Sequence, residues 1–195
     1  RYWIEDDGDI ARRIVELENQ YSSDPDDGIA AMELGRLYTI TSLGKRGFKM
    51  LKKDKQLDPR NPEPYKYLAI LNVDMFYQYE KAIPELEEYV SLRPDDVFGR
   101  NYLAYLYYET KQYKKAAEQW EKVQELDPQN GYAACKRVRA YARIHDGAPK
   151  LDPRRLHYRN RTLAAYREAV SILSEDHRRI KWLKRWLDRK TTVTQ

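Results

Sequence analysis

Sets of two large apolar residues and one small residue recur at helical spacing along the sequence. Residues three or four positions apart share one face of a helix, so each set predicts a helix with one buried face. The first helices of three successive units carry Leu34, Gly35 and Tyr38; Tyr65, Leu68 and Ala69; and Leu103, Ala104 and Tyr107. The second helices of two units carry Ala82, Leu86 and Tyr89, and Ala116, Trp120 and Val123. No apolar–polar alternation lasts long enough to indicate a strand. The pattern predicts an all-α chain of paired helices.

Four prolines divide this pattern into units of nearly constant length. Pro25, Pro59, Pro94 and Pro128 are separated by 34, 35 and 34 residues. The residue before a proline is pushed out of the α-helical region, so each proline indicates the end of a helix. Two positions after each proline stands a residue able to cap the next helix, namely Asp27, Asn61, Asp96 and Asn130. The spacing predicts three full repeats, at residues 28–61, 62–96 and 97–130.

These units resemble the tetratricopeptide repeat (TPR) family. The matching residues are Leu34 and Tyr38; Ala82, Leu86 and Pro94; and Leu103, Ala104, Tyr107, Ala116, Trp120 and Pro128. Residues 79–87 are especially similar to the second helix of the family's repeat. The resemblance implies a right-handed α-α superhelix, a TPR solenoid, whose first helices line a concave groove. It also implies a non-enzymatic scaffold or adaptor that binds another protein in that groove.

Four features depart from the family pattern. Gly47 stands where the family prefers alanine, which we expect to weaken its helix by up to about 1 kcal/mol. Asp54 replaces a small apolar residue late in the same helix. The second repeat has one extra residue, near positions 76–78 in its turn. Pro84 is tolerated only if it lies in the first turn of its helix, where its missing N–H costs nothing.

The flanking segments are predicted to be incomplete repeats of the same single domain, residues 1–195. Residues 1–27 hold one helix with the apolar stripe Ile10, Ile14 and Leu17, which Asp9 caps. Residues 131–174 form a fourth, looped repeat, with a first helix at 132–144 and a loop at 145–153. Its second helix holds Leu163, Ala165, Ala169, Val170 and Leu173. Residues 175–195 form a basic capping helix and tail. About ten helices are expected in all, and terminal repeats of solenoids are usually atypical.

The sequence offers no catalytic or metal-binding signature. There is one cysteine, Cys135, so neither an internal disulfide nor a cysteine-based zinc site is possible. The three histidines are far apart in sequence, which argues against a histidine-built metal site. The phosphate-loop, dinucleotide, HExxH and GxSxG motifs are absent. We therefore predict no enzyme activity, no catalytic residue, no metal, no cofactor and no small-molecule substrate.

The predicted binding residues lie beside the core stripe of each first helix. They are Arg36, Lys66, Asn101, Tyr105, Tyr108, Tyr132, Arg139 and Arg143. Tyrosine and arginine often anchor protein interfaces, and arginine pairs with carboxylates through two hydrogen bonds. This set predicts a peptide or loop partner that bears acidic and apolar groups. The alternative for each tyrosine is that it only seals contacts between repeats.

One branch of the family grips the carboxylate of chaperone tails with lysine, asparagine and arginine side chains. The corresponding positions here hold Met32, Arg36, Tyr67, Phe98 and Tyr102. Only Arg36 is compatible with that role. We therefore expect a different partner from a chaperone tail.

The C-terminal helix leaves three interpretations open. Ile180, Leu183 and Leu187 share one face, with Trp182 and Trp186 beside it, and cations cover the rest. The helix caps the solenoid, lies on an anionic membrane, or contacts nucleic-acid phosphates. The candidate contacts to an anionic surface are Arg178, Arg179, Lys184 and Arg185. Docking on a membrane or nucleic acid through this helix is the alternative to the scaffold function.

The ends of the chain carry opposite charge. Residues 1–33 hold ten acidic and three basic residues, a net of −7, and residues 145–195 hold thirteen basic and six acidic residues, a net of +7. Exposed ion pairs contribute little, so we expect a monomer or weak, salt-sensitive self-association. No stretch approaches the roughly 18 apolar residues of a membrane helix. The single cysteine favours a cytoplasmic over an exported location, and the start at Arg1 leaves an upstream targeting segment open.

Overall fold

The computed structural model describes residues 7–41, 43–174 and 177–191. Within these ranges all regular structure is helical, in ten α-helices. They are α1 Asp7–Ser23, α2 Gly28–Ile40, α3 Gly44–Leu57, α4 Glu63–Asp74, α5 Tyr79–Leu92, α6 Val97–Glu109, α7 Tyr113–Leu126, α8 Gly131–Gly147, α9 Arg154–Leu173 and α10 Arg178–Thr191. The predicted all-α fold class of about ten helices is confirmed.

The helices divide into two compact units. The first unit, residues 1–94, contains α1–α5, and the second unit, residues 95–195, contains α6–α10. Short turns join the helices of each pair, α2 with α3, α4 with α5 and α6 with α7. The boundary at Pro94 falls close to the predicted end of the second repeat. That the chain forms a single domain stays a prediction.

In the first unit, α1 serves as the lone helix of the incomplete N-terminal repeat. Its stripe of Ile10, Ile14 and Leu17 packs on Leu34 and Tyr38 of α2, as the apolar pattern predicts. The Tyr38 hydroxyl donates to the Glu18 carboxylate of α1. Burial and this hydrogen bond raise the pKa of Tyr38 to about 12, so the phenol stays neutral and keeps α1 tied to α2.

Two glycines allow α2 and α3 to approach closely. A Cβ at Gly35 would lie 2.6 Å from Leu51 Cδ2, and a Cβ at Gly47 would lie 3.0 Å from the Gly35 carbonyl oxygen and 3.0 Å from Tyr38 Cβ. The expectation that Gly47 only weakens its helix was incomplete. Gly47 also permits a backbone contact that alanine would obstruct, so its low helix propensity is offset by packing between the two helices.

Three of the four residues predicted to cap helices after the prolines do so, whereas Asn61 and the predicted cap Asp9 do not. Backbone N–H groups donate to Asp27 from Ala30 at 2.9 Å, to Asp96 from Gly99 at 2.7 Å and to Asn130 from Ala133 at 3.0 Å. Asn61 accepts from the Glu63 N–H at 3.1 Å, but Pro62 lies between it and α4. Asp9 does not cap α1, because the described helix already includes it from Asp7 onward.

The turns inside the second and third repeats differ in length and share a strained residue. Residues 75–78 join α4 to α5, whereas residues 110–112 join α6 to α7, which confirms the predicted extra residue. Tyr77 has a φ of 53° and Lys111 a φ of 62°. An L-residue in this left-handed region loses about 1–2 kcal/mol, and glycine does not. Both turns therefore carry backbone strain.

Replacing Lys111 with glycine should raise the free energy of unfolding by about 0.5–1 kcal/mol, because glycine removes this strain. Lys114→Gly is the matched control, since Lys114 is an exposed lysine inside α7 with ordinary backbone angles. The control should lose about 1 kcal/mol through its lower helix propensity. Urea unfolding followed by circular dichroism measures both. Loss of stability in both variants would contradict the strain argument.

Pro84 does not lie where the sequence argument required. It is the sixth residue of α5, which begins at Tyr79, so the expectation of a first-turn position was wrong. A proline at this depth has no N–H for the carbonyl of Glu80, four residues earlier. Its ring is exposed, while Ala82, Leu86 and Tyr89 on the same helix are buried.

In the second unit, α7 packs against both α6 and α8, and α9 against α8. Trp120 and Val123 of α7 are fully buried, as the repeat pattern predicts. Glu121 of α7 binds the Tyr141 hydroxyl of α8 and the Arg161 guanidinium of α9. Burial and the bond to Glu121 raise the pKa of Tyr141. One carboxylate thus links three helices.

The connection between α8 and α9 is the longest between paired helices among the described residues. His145, expected in a loop of residues 145–153, belongs instead to the last turn of α8, which continues to Gly147. The remaining connection, residues 148–153, presents Leu151 almost fully to solvent. The second helix of this repeat begins at Arg154, directly after the predicted end of the loop.

The C-terminal helix α10 buries its apolar face. Ile180 and Leu183 are 0% and 1% exposed. Trp186 and Leu187 pack with Ala142 of α8 and with partly buried side chains of α9. This burial favours the capping interpretation over insertion of that face into a membrane. None of the helices that the structure describes is long and apolar enough to cross a bilayer.

Candidate functional site

One face of the second unit combines aromatic rings with cations that form no salt bridge to any residue the structure describes. Its side chains come from α6, α8 and α10, at spacings of three or four residues that keep each set on one face. We name this the aromatic–cationic surface; it consists of Asn101, Tyr105, Tyr108, Tyr132, Lys136, Arg139, Arg179 and Trp182. The core residues on the same helices, such as Leu103 and Val138, are buried and hold this face in place.

An open cleft of about 280 Å³ lies at the α6 side of this surface. Phe98, Asn101, Tyr102, Tyr105 and Tyr132 line it. The rings of Tyr102 and Tyr105 are nearly parallel, at 8°, with centroids 6.3 Å apart. The Asn101 Oδ1 atom is buried and accepts no hydrogen bond. Leaving a polar atom without a partner costs free energy, so a donor from a ligand in this cleft would be stabilising.

Lys136 lies among three tyrosine rings. Its Nζ atom is 5.3 Å from the ring centroid of Tyr132, 5.7 Å from that of Tyr105 and 5.9 Å from that of Tyr108. These are cation–π distances. Burial lowers the pKa of Lys136, and repulsion from Arg139 lowers it further, against the attraction of Glu109. The ammonium group forms no salt bridge within residues 7–41, 43–174 and 177–191.

Two arginines complete the cationic part, and both rest on aromatic rings. The Arg139 Cζ atom lies 4.3 Å from the Trp182 ring centroid, and the Arg179 Cζ atom lies 5.5 Å from that of Tyr132. With Cys135 and Lys136 these groups enclose a small pocket of about 40 Å³. We name it the cation pocket; its lining is Tyr132, Cys135, Lys136, Arg139 and Arg179.

The remaining groups in the cation pocket are neutral. Burial raises the pKa of the Cys135 thiol and that of the Tyr132 hydroxyl, although Arg179 and Arg139 oppose both shifts. A neutral, buried thiol is a poor nucleophile. Cys135 therefore contributes volume rather than reactivity. Across the parts of the chain that the structure describes, no group of three or more His, Cys, Asp or Glu side chains is placed to hold a metal ion.

Tyr108 lies at the far end of this surface, where Arg143 contacts it from outside the surface. The Arg143 Nε–H donates to the Tyr108 hydroxyl at 3.4 Å, and this bond raises the pKa of Arg143. The Tyr108 ring also packs against Tyr113 at 5.2 Å and against Trp120 at 5.9 Å between centroids. The Tyr108 ring thus packs against α7, and it also lies within cation–π distance of Lys136.

Six of the eight predicted binding residues lie together in the second unit: Asn101, Tyr105, Tyr108, Tyr132, Arg139 and Arg143. The other two lie in the first unit. Arg36 is half-buried on α2 near Glu33. Lys66 pairs with Glu63 and lies over the rings of Tyr67 and Tyr89, so its charge already has a partner.

Three residues of this surface, Lys136, Arg179 and Trp182, were not predicted as groove residues. Lys136 lies one helical turn from both Tyr132 and Arg139, and that spacing is the signal that was available. Arg179 was assigned to an anionic surface with Arg178, Lys184 and Arg185, but its guanidinium lies over Tyr132. Trp182, placed beside the apolar face of α10, contacts Arg139. Arg178, Lys184 and Arg185 are exposed on α10.

Comparison with known proteins identifies the repeat. Residues 97–130, which form α6 and α7, match the sequence model of the tetratricopeptide repeat. The chain contains a tetratricopeptide repeat. The predicted resemblance to the TPR family is therefore confirmed. Comparison with curated protein sequences gives no significant match.

Solved TPR-like structures share this fold over most of the chain. YrrB, described as a TPR protein with an unusual peptide-binding site, is 20% identical, with a TM-score of 0.73 over 91% of this chain and 84% of its own. MamA is 22% identical, with a TM-score of 0.70 over 85% of this chain and 89% of its own. At these identities the likeness establishes the fold alone.

Proposed function

We propose that this TPR protein is a scaffold that binds a polypeptide segment of a partner protein on the aromatic–cationic surface. The observation that carries the proposal is the joining of three tyrosine rings and three cations, from α6, α8 and α10, on one face. Exposed aromatic rings and arginines anchor protein interfaces because they bury large areas at low entropic cost. YrrB, the similar fold described with a peptide-binding site, supports the same class of ligand.

The chemistry of the surface indicates which segment it binds. Apolar side chains fit the cleft beside Tyr102 and Tyr105, and a backbone N–H of the segment satisfies Asn101 Oδ1. Acidic groups pair with Arg139 and Arg179, because each guanidinium group can donate two hydrogen bonds to a carboxylate or a phosphate. The segment therefore carries an apolar group next to an acidic one. We also propose that the protein has no catalytic activity.

A double substitution tests the surface. Tyr105→Ala with Arg139→Ala removes one ring of the cleft and one cation, so at least one partner captured by the wild type should bind at least tenfold more weakly. The measurement is quantitative mass spectrometry of proteins retained from a cell extract, followed by titration of the purified partner. Circular dichroism checks that the fold is intact.

The matched control is Lys122→Ala with Arg167→Ala, on α7 and α9. Both side chains are exposed, and neither belongs to the aromatic–cationic surface. The control should retain every partner at the wild-type level. If the Tyr105/Arg139 variant also keeps all partners while folded, the proposed surface is wrong. A further variant, Arg36→Ala, tests the predicted contribution of the first unit.

A further inference from the structure

Three positively charged side chains line the cation pocket. Lys136, Arg139 and Arg179 line it together, and none of them forms a salt bridge with a described residue. Their contacts are with ring faces, which attract cations weakly compared with a carboxylate. Glu109 is the anion whose attraction reaches Lys136, and it is exposed. The three cations therefore repel one another in the unliganded protein.

The buried side of this pocket strengthens electrostatic interactions, whereas Tyr132 and Arg179 at its rim are exposed. Cys135 is 3% exposed and the Lys136 side chain is half-buried. A lower local dielectric strengthens both the repulsion among the cations and the attraction for an incoming anion. Lowering of the Lys136 pKa by its neighbours agrees with this repulsion. An anion that enters gains attraction from three cations and relieves their mutual repulsion at once.

We propose that the cation pocket receives a phosphate group on a side chain of the bound partner, an inference that rests on the proposed function. A phosphorylated side chain carries about −1.5 to −2 charges at pH 7 and three acceptor oxygens. One carboxylate carries a single charge and two oxygens. The three cationic side chains that line the pocket offer one donor group for each acceptor oxygen, and a phosphate neutralises more of their charge than a carboxylate does. Binding at this site therefore depends on phosphorylation of the partner.

Small probes test the pocket directly. Thermal unfolding is measured at constant ionic strength with inorganic phosphate, with N-acetyl-O-phosphoserine amide and with N-acetyl-aspartate amide. The two phosphate probes should raise the melting temperature in a saturable way, because a ligand that binds only the folded state stabilises it. The aspartate probe should bind at least tenfold more weakly. Equal responses to the aspartate and phosphoserine probes would overturn the assignment of phosphate.

Two variants separate the pocket from general surface charge. Arg139→Gln should weaken binding of the phosphoserine probe at least tenfold. Without any probe it should be as stable as the wild type, because the lost contact with Trp182 is offset by the removal of one repulsive charge. Arg185→Gln on the exposed side of α10 should bind as the wild type does. Equal losses in both variants would indicate non-specific charge and contradict the proposal. A response to phosphatidic acid vesicles but not to the phosphoserine probe would contradict a polypeptide source.

A last comparison separates this inference from the proposed function. The partner captured through Tyr105 and Arg139 is treated with phosphatase before titration. Its affinity should fall at least tenfold. An unchanged affinity would overturn phosphate recognition and leave the scaffold function standing. If neither phosphatase treatment nor the Tyr105/Arg139 variant weakens partner binding, both the phosphate inference and the proposed function are wrong.

Discussion

Replacing Pro84 with alanine should raise the free energy of unfolding by about 2–3 kcal/mol. Pro84 is the sixth residue of α5, so its missing N–H removes a hydrogen bond that an α-helix otherwise makes. Alanine restores the N–H and has the highest helix propensity. The proline ring is exposed, so the substitution sacrifices little packing. Urea unfolding, followed by circular dichroism at 222 nm, measures the change.

The control for this substitution is Lys81→Ala on the same helix. Lys81 is exposed and precedes Pro84 by almost one turn, so its replacement should change stability by less than about 0.5 kcal/mol. An equal effect in the two variants would indicate a general benefit of alanine in α5. No gain at Pro84 would mean that the helix has already adapted to the proline.

Replacing Asp54 with asparagine should stabilise the protein by about 2–3 kcal/mol at pH 7.5 and by almost nothing at pH 4. Asp54 is 1% exposed, and it replaces a small residue of the family pattern. Burial raises its pKa to about 6, repulsion from Asp58 adds to this, and a hydrogen bond from Asn61 Nδ2 at 3.2 Å opposes it. An amide keeps an acceptor for Asn61 without the charge.

The sign of the pH dependence follows from that raised pKa. Between about pH 4 and pH 6 the folded protein binds more protons at Asp54 than the unfolded chain does. Stability of the wild type therefore falls as the pH rises through this range and is constant above it. The Asp54→Asn variant lacks this decline. Asp95→Asn, on an exposed residue, should follow the wild type. A gain of equal size at pH 4 and pH 7.5 would point to packing instead of ionisation.

The sequence predicted those features of the fold that depend on neighbours along the chain. Proline spacing marked the helix ends, and the capping role of Asp27, Asp96 and Asn130 follows from residues three positions away. The apolar triplets identified the buried faces for the same reason. These signals are local, so one sequence is enough to detect them.

Features that depend on contacts between helices were harder to predict. Gly47 had an evident cost in helix propensity, but the Gly35 carbonyl against which it packs lies on another helix. The condition that Pro84 lies in the first turn of its helix is not met, and the sequence did not reveal this because helix starts are among its least certain features. The end of α8 was missed for a similar reason, since its last turn is stabilised by contacts of His145 with Trp186 and Arg155.

The candidate site was predicted in part. The stripes on α6 and α8 followed from helical periodicity, which gave Asn101, Tyr105, Tyr132 and Arg139. Lys136 was missed because its three tyrosine neighbours come from two helices. Arg179 was assigned to the solvent side because periodicity of α10 alone does not reveal what that helix covers.

The connection at residues 148–153 is a position at which an inserted segment should be tolerated. α8 and α9 are held together by their own packing and by Glu121, so the connection does not determine their geometry. The entropic cost of closing a loop grows only slowly with its length. A peptide or a small domain inserted beside Leu151, which is 96% exposed, would leave the helices in place. This repeat can therefore acquire or lose a recognition element at its connection without change to the helices on either side.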